Sequence, residues 1–322
     1  MMPTYFKLEG SNVKRILFSI LRLLPLFLIA PEARAQGCSD AGVCTAGSLG
    51  VAADSGSSSR HTLQLAYQFA LGEQSTQQHF LTAQWDARLS DLWSFQVKLP
   101  VQWVHGNLGN HGGLGDVTTS FNANIPLGRA AFRPGAGMRW NSSDANAMRD
   151  GRALPMPYQR SLGTKDLLVF TALVHPRWRF GAGIQLPLSG ESGNQFDTLG
   201  LNPSDRAYAY FPSVNLDRKP DLALRYDRLW QRGNWDMETG MVLIWKLQEA
   251  TIRRTNELPI ELEGSDGPTL NLAAVLRYFP GGDRQEGQSL AISWANPVHV
   301  RPVRPDGLTR SAILGISWQN RF

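Results

Sequence analysis

Two thiols, six imidazoles and a long series of regularly spaced acids and bases are the groups in this chain that could do chemistry. Cys38 and Cys44, with five residues between them, sit in Gly37-Cys-Ser-Asp-Ala-Gly-Val-Cys44. In an oxidising compartment that spacing points to a small disulfide loop. A metal or redox site is the alternative, but two thiols with no histidine near them make an incomplete ligand shell. The histidines are His61, His79, His105, His111, His175 and His299, and none has a serine two residues on. No zincin, Walker or G-x-S-x-G pattern is present, so nothing calls for an enzyme or a cofactor. The acids and bases follow another rule: they fall on alternate residues of extended stretches, and the elements that carry them decide what they do.

The clearest stretch is Trp93-Ser-Phe-Gln-Val-Lys-Leu-Pro-Val-Gln-Trp103. Odd positions are apolar and even positions polar, which divides the side chains of a strand between two faces. Ten steps of roughly 3.3 Å, tilted by about 40°, project to about 25 Å, the height of the apolar band of an outer-membrane barrel. A strand of a soluble sandwich also alternates. Such strands are shorter, however, and lack an aromatic residue at each end.

The pattern recurs over residues 62–71, 81–89, 116–125, 132–140, 177–186, 221–231, 235–246, 270–278 and 290–294. Residues 167–174 form a further strand too apolar for its faces to be chosen, and the chain ends in alternating Leu314, Ile316, Trp318 and Phe322. Tight links near Ser90-Asp91, Gly128-Arg129, His175-Pro176 and Arg232-Gly233-Asn234 alternate with long ones at 105–115, 141–164, 189–219, 249–268 and 296–310. Only 280–287 is longer than a tight turn needs to be. This predicts an all-β fold, a transmembrane antiparallel up-and-down β-barrel of about twelve strands with both termini in the periplasm. A terminal Phe322 resembles the signal by which the barrel assembly machinery recognises its clients.

The start of the chain fits this. An apolar run at 16–30, broken by Arg22 and Pro25, follows Lys14-Arg15 and precedes Ala33-Arg34-Ala35, which reads as a signal peptide over 1–35. A lipoprotein cut before Cys38 is the competing reading. Residues 36–59 then form a periplasmic segment with the cysteine pair, able to fold back as a plug, and 60–322 the barrel of a bacterial, Gram-negative outer membrane. The formal charge of +5 includes five Lys/Arg against two acids in residues 1–35, so +2 remains beyond them. Nothing there suggests a nucleic-acid partner. The expected partners are outer-membrane lipid and a small-molecule solute that the sequence does not identify.

Alternation assigns Asp86, Arg88, Gln96, Lys98, Gln102, Arg139, Arg177, Arg179, Arg225 and Asp227 to the bore. Mixed signs leave open a salt-bridged, stabilising lumen or a constriction that selects solutes. Asp116 and Asp221 begin descending strands and face inward by parity. The plain reading of Gly112-Gly-Leu-Gly-Asp116 is a turn, and the functional alternative is that Asp116 and Asp221 contribute to a gate.

Leu99-Pro100, Gly112-Gly-Leu-Gly-Asp116 and, opening the sixth strand, Leu162-Gly-Thr-Lys-Asp166 together resemble the outer-membrane barrels of the MetA-pathway phenol-degradation group, relatives of fatty-acid and aromatic-hydrocarbon transporters. The resemblance spans most of 60–322 and implies passage of small apolar or aromatic molecules. The long helical N-terminal hatch of the hydrocarbon transporters is missing, since only 36–59 precedes the first strand. Outer-membrane phospholipases carry a His-x-Ser pair that this chain lacks, and omptin proteases have ten strands. The second functional reading is a non-conducting barrel whose long loops bind a partner.

Overall fold

A computed structural model of the chain describes residues 59–307 and 310–322; Cys38, Cys44 and the segment read as a signal peptide lie outside them. Twelve strands make the wall. They are β1 (His61–Gly72), β2 (Gln77–Arg88), β3 (Trp93–Gly106), β4 (Thr118–Ala123), β5 (Ala130–Arg139) and β6 (Asp166–His175). Then follow β7 (Trp178–Pro187), β8 (Asp221–Arg232), β9 (Trp235–Lys246), β10 (Gly267–Tyr278), β11 (Gly287–His299) and β12 (Arg310–Arg321). Each pairs antiparallel with the next, and β12 pairs back onto β1 in the register Leu65↔Trp318, Tyr67↔Ile316. The sheet is closed, so no strand edge is left to bond with another chain.

The wall is inside out for a water-soluble protein. Trp93, Leu99, Trp103, Phe121, Trp230, Trp235 and Trp245 are exposed on its outer face, while Gln84, Gln96, Lys98, Arg139, Arg179 and Asp227 are buried on the inner one. Apolar surface left in water costs roughly 25 cal/mol per Å², so a belt of this kind is stable only against hydrocarbon. Trp93 and Trp103, at opposite ends of the same face of β3, are 50% and 41% exposed. They mark the two borders of the belt.

Two details depart from the sequence reading and a third completes it. Residues 105–115 are not a loop: β3 runs on to Gly106, turns at Asn107-Leu108 and returns as a ribbon, Gly109–Leu114, paired from Gly106↔Gly109 to Val101↔Leu114. Glycine has low strand propensity, which hid the ribbon, but Gly109 and Gly113 have φ of 114° and 149°, values that other residues rarely adopt. Below it β3 pairs with β4, from Lys98↔Thr118 to Trp93↔Ala123. Pro100 lies where β3 changes partners, so its missing N–H falls at a break in that ladder. Strand β2 begins at Gln77, four residues before its apolar alternation starts. In β6, Leu168, Phe170, Ala172 and Val174 are buried on the inner face and Val169 is exposed on the outer one.

The long connections leave one end of the barrel and the tight turns the other. The loops are themselves packed. Val104, Leu154, Tyr158, Phe196 and Tyr210 form one apolar cluster; Met156, Leu162, Val214, Leu216 and Ile252 form a second. The Tyr158 and Tyr210 hydroxyls lie 3.2 Å apart at the centre of the first.

Candidate functional site

At the long-loop end the strand termini deliver charged side chains to one level, and these link into a chain. Arg139, at the top of β5, lies 3.7 Å from Asp116 and 2.8 Å from Asp166. Asp166, the first residue of β6, also takes Arg218 at 3.0 Å, the Thr164 hydroxyl at 2.7 Å and the Gln185 amide. Arg218 reaches Asp221 at 3.5 Å; Lys246, at the top of β9, lies 2.6 Å from Asp221 and 3.2 Å from Asp306. Arg301 clasps both oxygens of Asp306 at 2.7 Å. Acid and base alternate through eight residues, all buried. Arg304, which donates to the Arg301 carbonyl at 3.2 Å, carries the line to Glu73 at 2.9 Å in the β1–β2 turn.

Two of the motifs noted in the sequence meet here. Asp116, closing Gly112-Gly-Leu-Gly-Asp116, accepts from the Leu162 N–H at 3.1 Å, the first residue of Leu162-Gly-Thr-Lys-Asp166. Arg139 then bridges the final aspartates of both. The glycines permit this approach: a Cβ on Gly163 would collide with the Ser192 carbonyl, and one on Gly113 would stand 2.7 Å from the Arg160 guanidinium.

In the loop segments of the belt, burial alone would raise the Asp306 carboxyl, but Arg301, Lys246 and Arg218 outweigh it and hold it well below the usual carboxylate range. Burial likewise would lower Arg218, and Asp166 and Asp221 raise it instead. Glu73 differs: burial pushes its carboxyl up, only partly offset by Arg304. Ions removed from water are costly, and mutual pairing compensates for that only where every member is present.

A second cluster lies toward the tight turns. Arg179, 1% exposed, holds Asp227 at 2.8 Å and Glu238 at 3.2 Å; Arg225 meets Asp227 at 2.8 Å, and Arg277 approaches Glu238 at 3.8 Å. Asp86 accepts from Gln84 at 2.7 Å and Gln96 at 2.6 Å, with Lys98 facing Gln84 across the β2–β3 ladder. Between the two charged levels the inner wall of β5 to β9 carries Gly135, Phe170, Ala172, Gly183, Ala223 and Val242. A Cβ on Gly135 would strike the Phe170 ring, which lies across it. On β10, Thr269 and Asn271 are buried with side-chain polar atoms that have no hydrogen-bond partner. They face Ile244 and Val242 in register.

The sequence candidates therefore separate into groups. Arg139, Asp116 and Asp221 belong to the belt; Arg179, Arg225 and Asp227 to the second cluster; Asp86, Gln96 and Lys98 to the opposite wall. Gln102 donates to the Gln159 carbonyl at 2.5 Å and so anchors a loop. Arg88 and Arg177 are exposed at the short-turn rim rather than enclosed in the bore. Asp166 entered the sequence reading only as the end of Leu162-Gly-Thr-Lys-Asp166, and Arg218, Lys246, Arg301, Asp306, Glu73 and Arg304 were not singled out by the sequence. Asp166 carried a signal, an acid heading an apolar strand; Arg218, Arg301 and Asp306 lie in loops where no period applies.

No family model and no curated protein matches the chain. Among solved structures it is similar to the COG4313 outer membrane channel from Pseudomonas putida F1, with a TM-score of 0.57 and 10% identity over 82% of this chain and 96% of that one. The NanC porin aligns more loosely, with a TM-score of 0.45 and 12% identity over 81% of this chain and 100% of the porin. At such identity the likeness is one of fold. The chain has the fold of the outer-membrane β-barrels, a conclusion that the outward apolar belt and enclosed charges reach independently.

Proposed function

We propose that the protein is an outer-membrane channel for small apolar or aromatic molecules, gated by the charged belt at its long-loop end. In this reading the tight turns and both ends of the barrel lie in the periplasm, the long loops lie outside, and Phe322 presents the last strand to the assembly machinery. The substrate class draws on the resemblance to MetA-pathway and hydrocarbon-transporter barrels. It gains support from the apolar inner face of β6, with Phe170 at its centre, and from Thr269 and Asn271, which have hydrogen-bonding capacity to offer a solute.

The observation that carries the gate is that Arg139 and Arg218 meet on Asp166. Arg139 comes from the wall and Arg218 from the long segment 188–220, so one carboxylate holds loop to barrel. Asp116 and Asp221, bound to the same two arginines, extend that hold in both directions. In planar bilayers the Arg218→Gln variant is expected to conduct more than the wild type, and liposomes bearing it to admit small aromatic solutes faster. Equal conductance and equal uptake would remove the belt from any gating role.

A specific observation favours the second reading, a non-conducting barrel that binds a partner. The loops enclose an open cleft of about 830 Å³ lined by Arg149, Arg152, Asp197 and Asp205 among others. Absence of conductance in both wild type and Arg218→Gln, with the barrel intact, would select it.

A further inference from the structure

The outer wall near the tight turns holds cations that no acid answers. On β8, Arg228 and Arg232 point outward, flanking Trp230; the acids of the same neighbourhood, Asp227, Asp236 and Glu238, are buried on the inner face. Those acids are already engaged, Asp227 by Arg179 and Arg225, Asp236 by Arg284, and Glu238 by Arg179 and Arg277. Arg228 is paired in register with Trp178 on one side and Thr239 on the other. The carbonyl of Arg177 accepts from the Leu229 N–H at 2.9 Å, so Arg177 sits opposite a residue of the inner face and the outward cations are Arg228 and Arg232. Among the described residues neither Arg228 nor Arg232 lies within ion-pair distance of a carboxylate.

Arg228 is half-buried between Trp178 and Thr239, with Tyr226 and Trp230 on the same face, four residues from the end of β8. That places it about 10 Å in from the turn, at the border between hydrocarbon and headgroups. Trp230 and Trp235 are 43% and 48% exposed there, and His175 stacks on Trp178 with ring centres 5.3 Å apart, fixing its plane. Tryptophans seat at headgroup depth, and a guanidinium at that depth needs an anion, for which a phosphodiester offers two oxygens to its fork.

We infer that Arg228 and Arg232, framed by Trp178, Trp230 and Trp235, bind the phosphate of an anionic glycerophospholipid in the leaflet facing the tight turns. Two cations without an acid favour a headgroup of net negative charge over a zwitterionic one. The inference rests on the proposed membrane seating and orientation.

The test is native mass spectrometry of the full-length protein in detergent, offered equal amounts of phosphatidylglycerol and phosphatidylcholine, with lipopolysaccharide in a separate arm. Gel mobility with and without heating reports the barrel. Wild type is expected to retain phosphatidylglycerol preferentially, each arginine contributing about fivefold. The double variant Arg228→Gln, Arg232→Gln is expected to lose that preference while remaining a heat-modifiable barrel. If the double variant does not fold, Arg228→Lys, which keeps the charge but not the fork, is expected to retain less phosphatidylglycerol than wild type. An unchanged lipid ratio in every folded variant overturns the site. Dependence of lipopolysaccharide rather than phosphatidylglycerol on these arginines overturns the assigned leaflet. A wild type without heat-modifiable mobility defeats the membrane reading instead, separately from the lipid result.

Discussion

The two charged levels of the barrel use the same chemistry for different mechanical ends. In the lower cluster every member sits on a strand: Arg179, Arg225, Asp227, Glu238 and Arg277 join β7, β8, β9 and β10, which backbone ladders already hold together. In the upper belt, Arg218, Arg301 and Asp306 come from long connections and meet Asp166, Asp221 and Lys246 of the wall. The first braces elements that cannot separate. The second fastens elements that can. Buried ion pairs add little net stability but are costly to break, so the two levels should respond alike to unfolding and differently to conductance.

The largest effect is expected at Asp166. Asp166→Asn leaves Arg139 and Arg218 without their shared carboxylate and should cost about 3–5 kcal/mol in urea unfolding followed by gel mobility. Asp227→Asn should cost a comparable amount by taking from Arg179 and Arg225 the carboxylate they share. Conductance should rise for Asp166→Asn alone; a matching rise for Asp227→Asn would erase the distinction between the levels.

Acidification sharpens the comparison within the belt. The folded carboxyl of Asp306 is depressed below 3.8, so its contribution is complete above that value and is lost as pH falls below it. Glu73 is raised above 4.5, so it costs stability when ionised, and that cost disappears as it protonates on the way down. The Arg304–Glu73 contact should therefore loosen first, with no loss of stability, and the Asp306 contacts only under stronger acid. Unfolding midpoints measured against pH should stay level or rise slightly before falling. Asp306→Asn should flatten that acid limb, and an early fall that Glu73→Gln abolishes would contradict the assignment.

The smallest effect is expected outside both levels. At Pro100 the β3–β4 ladder is already interrupted, and Pro100→Ala should lower stability by less than about 1 kcal/mol, through the unfolded chain's added freedom. A larger loss by the same unfolding assay would mean that the ring itself, against which Gly115 packs, holds the junction.

Much of the wall was legible in the sequence because lipid and a polar bore enforce a period of two on every strand with opposed faces. Where the bore turns apolar the period vanishes. In β6, Leu168 and Phe170 face in and Val169 faces out, all of one character, and no parity could sort them. Asp116 and Asp221 were reachable because each heads a strand whose faces are known. Their partners Arg218 and Asp306 were not, since a loop residue's direction is set by tertiary contacts alone. The glycine-rich ribbon was read as irregular because its pairing depends on β3 and not on its own side chains.

The seam between the first and last strands has its own consequence. His61 and Phe322 exchange both backbone hydrogen bonds, at 2.9 and 3.0 Å, and the β1–β12 ladder climbs from there. The two ends of the described chain are thus the two halves of one fastening. No cylinder exists until the final residues have emerged and found the opening strand, and a chain cut short by even its last strand would offer two raw sheet margins to whatever lay beside it.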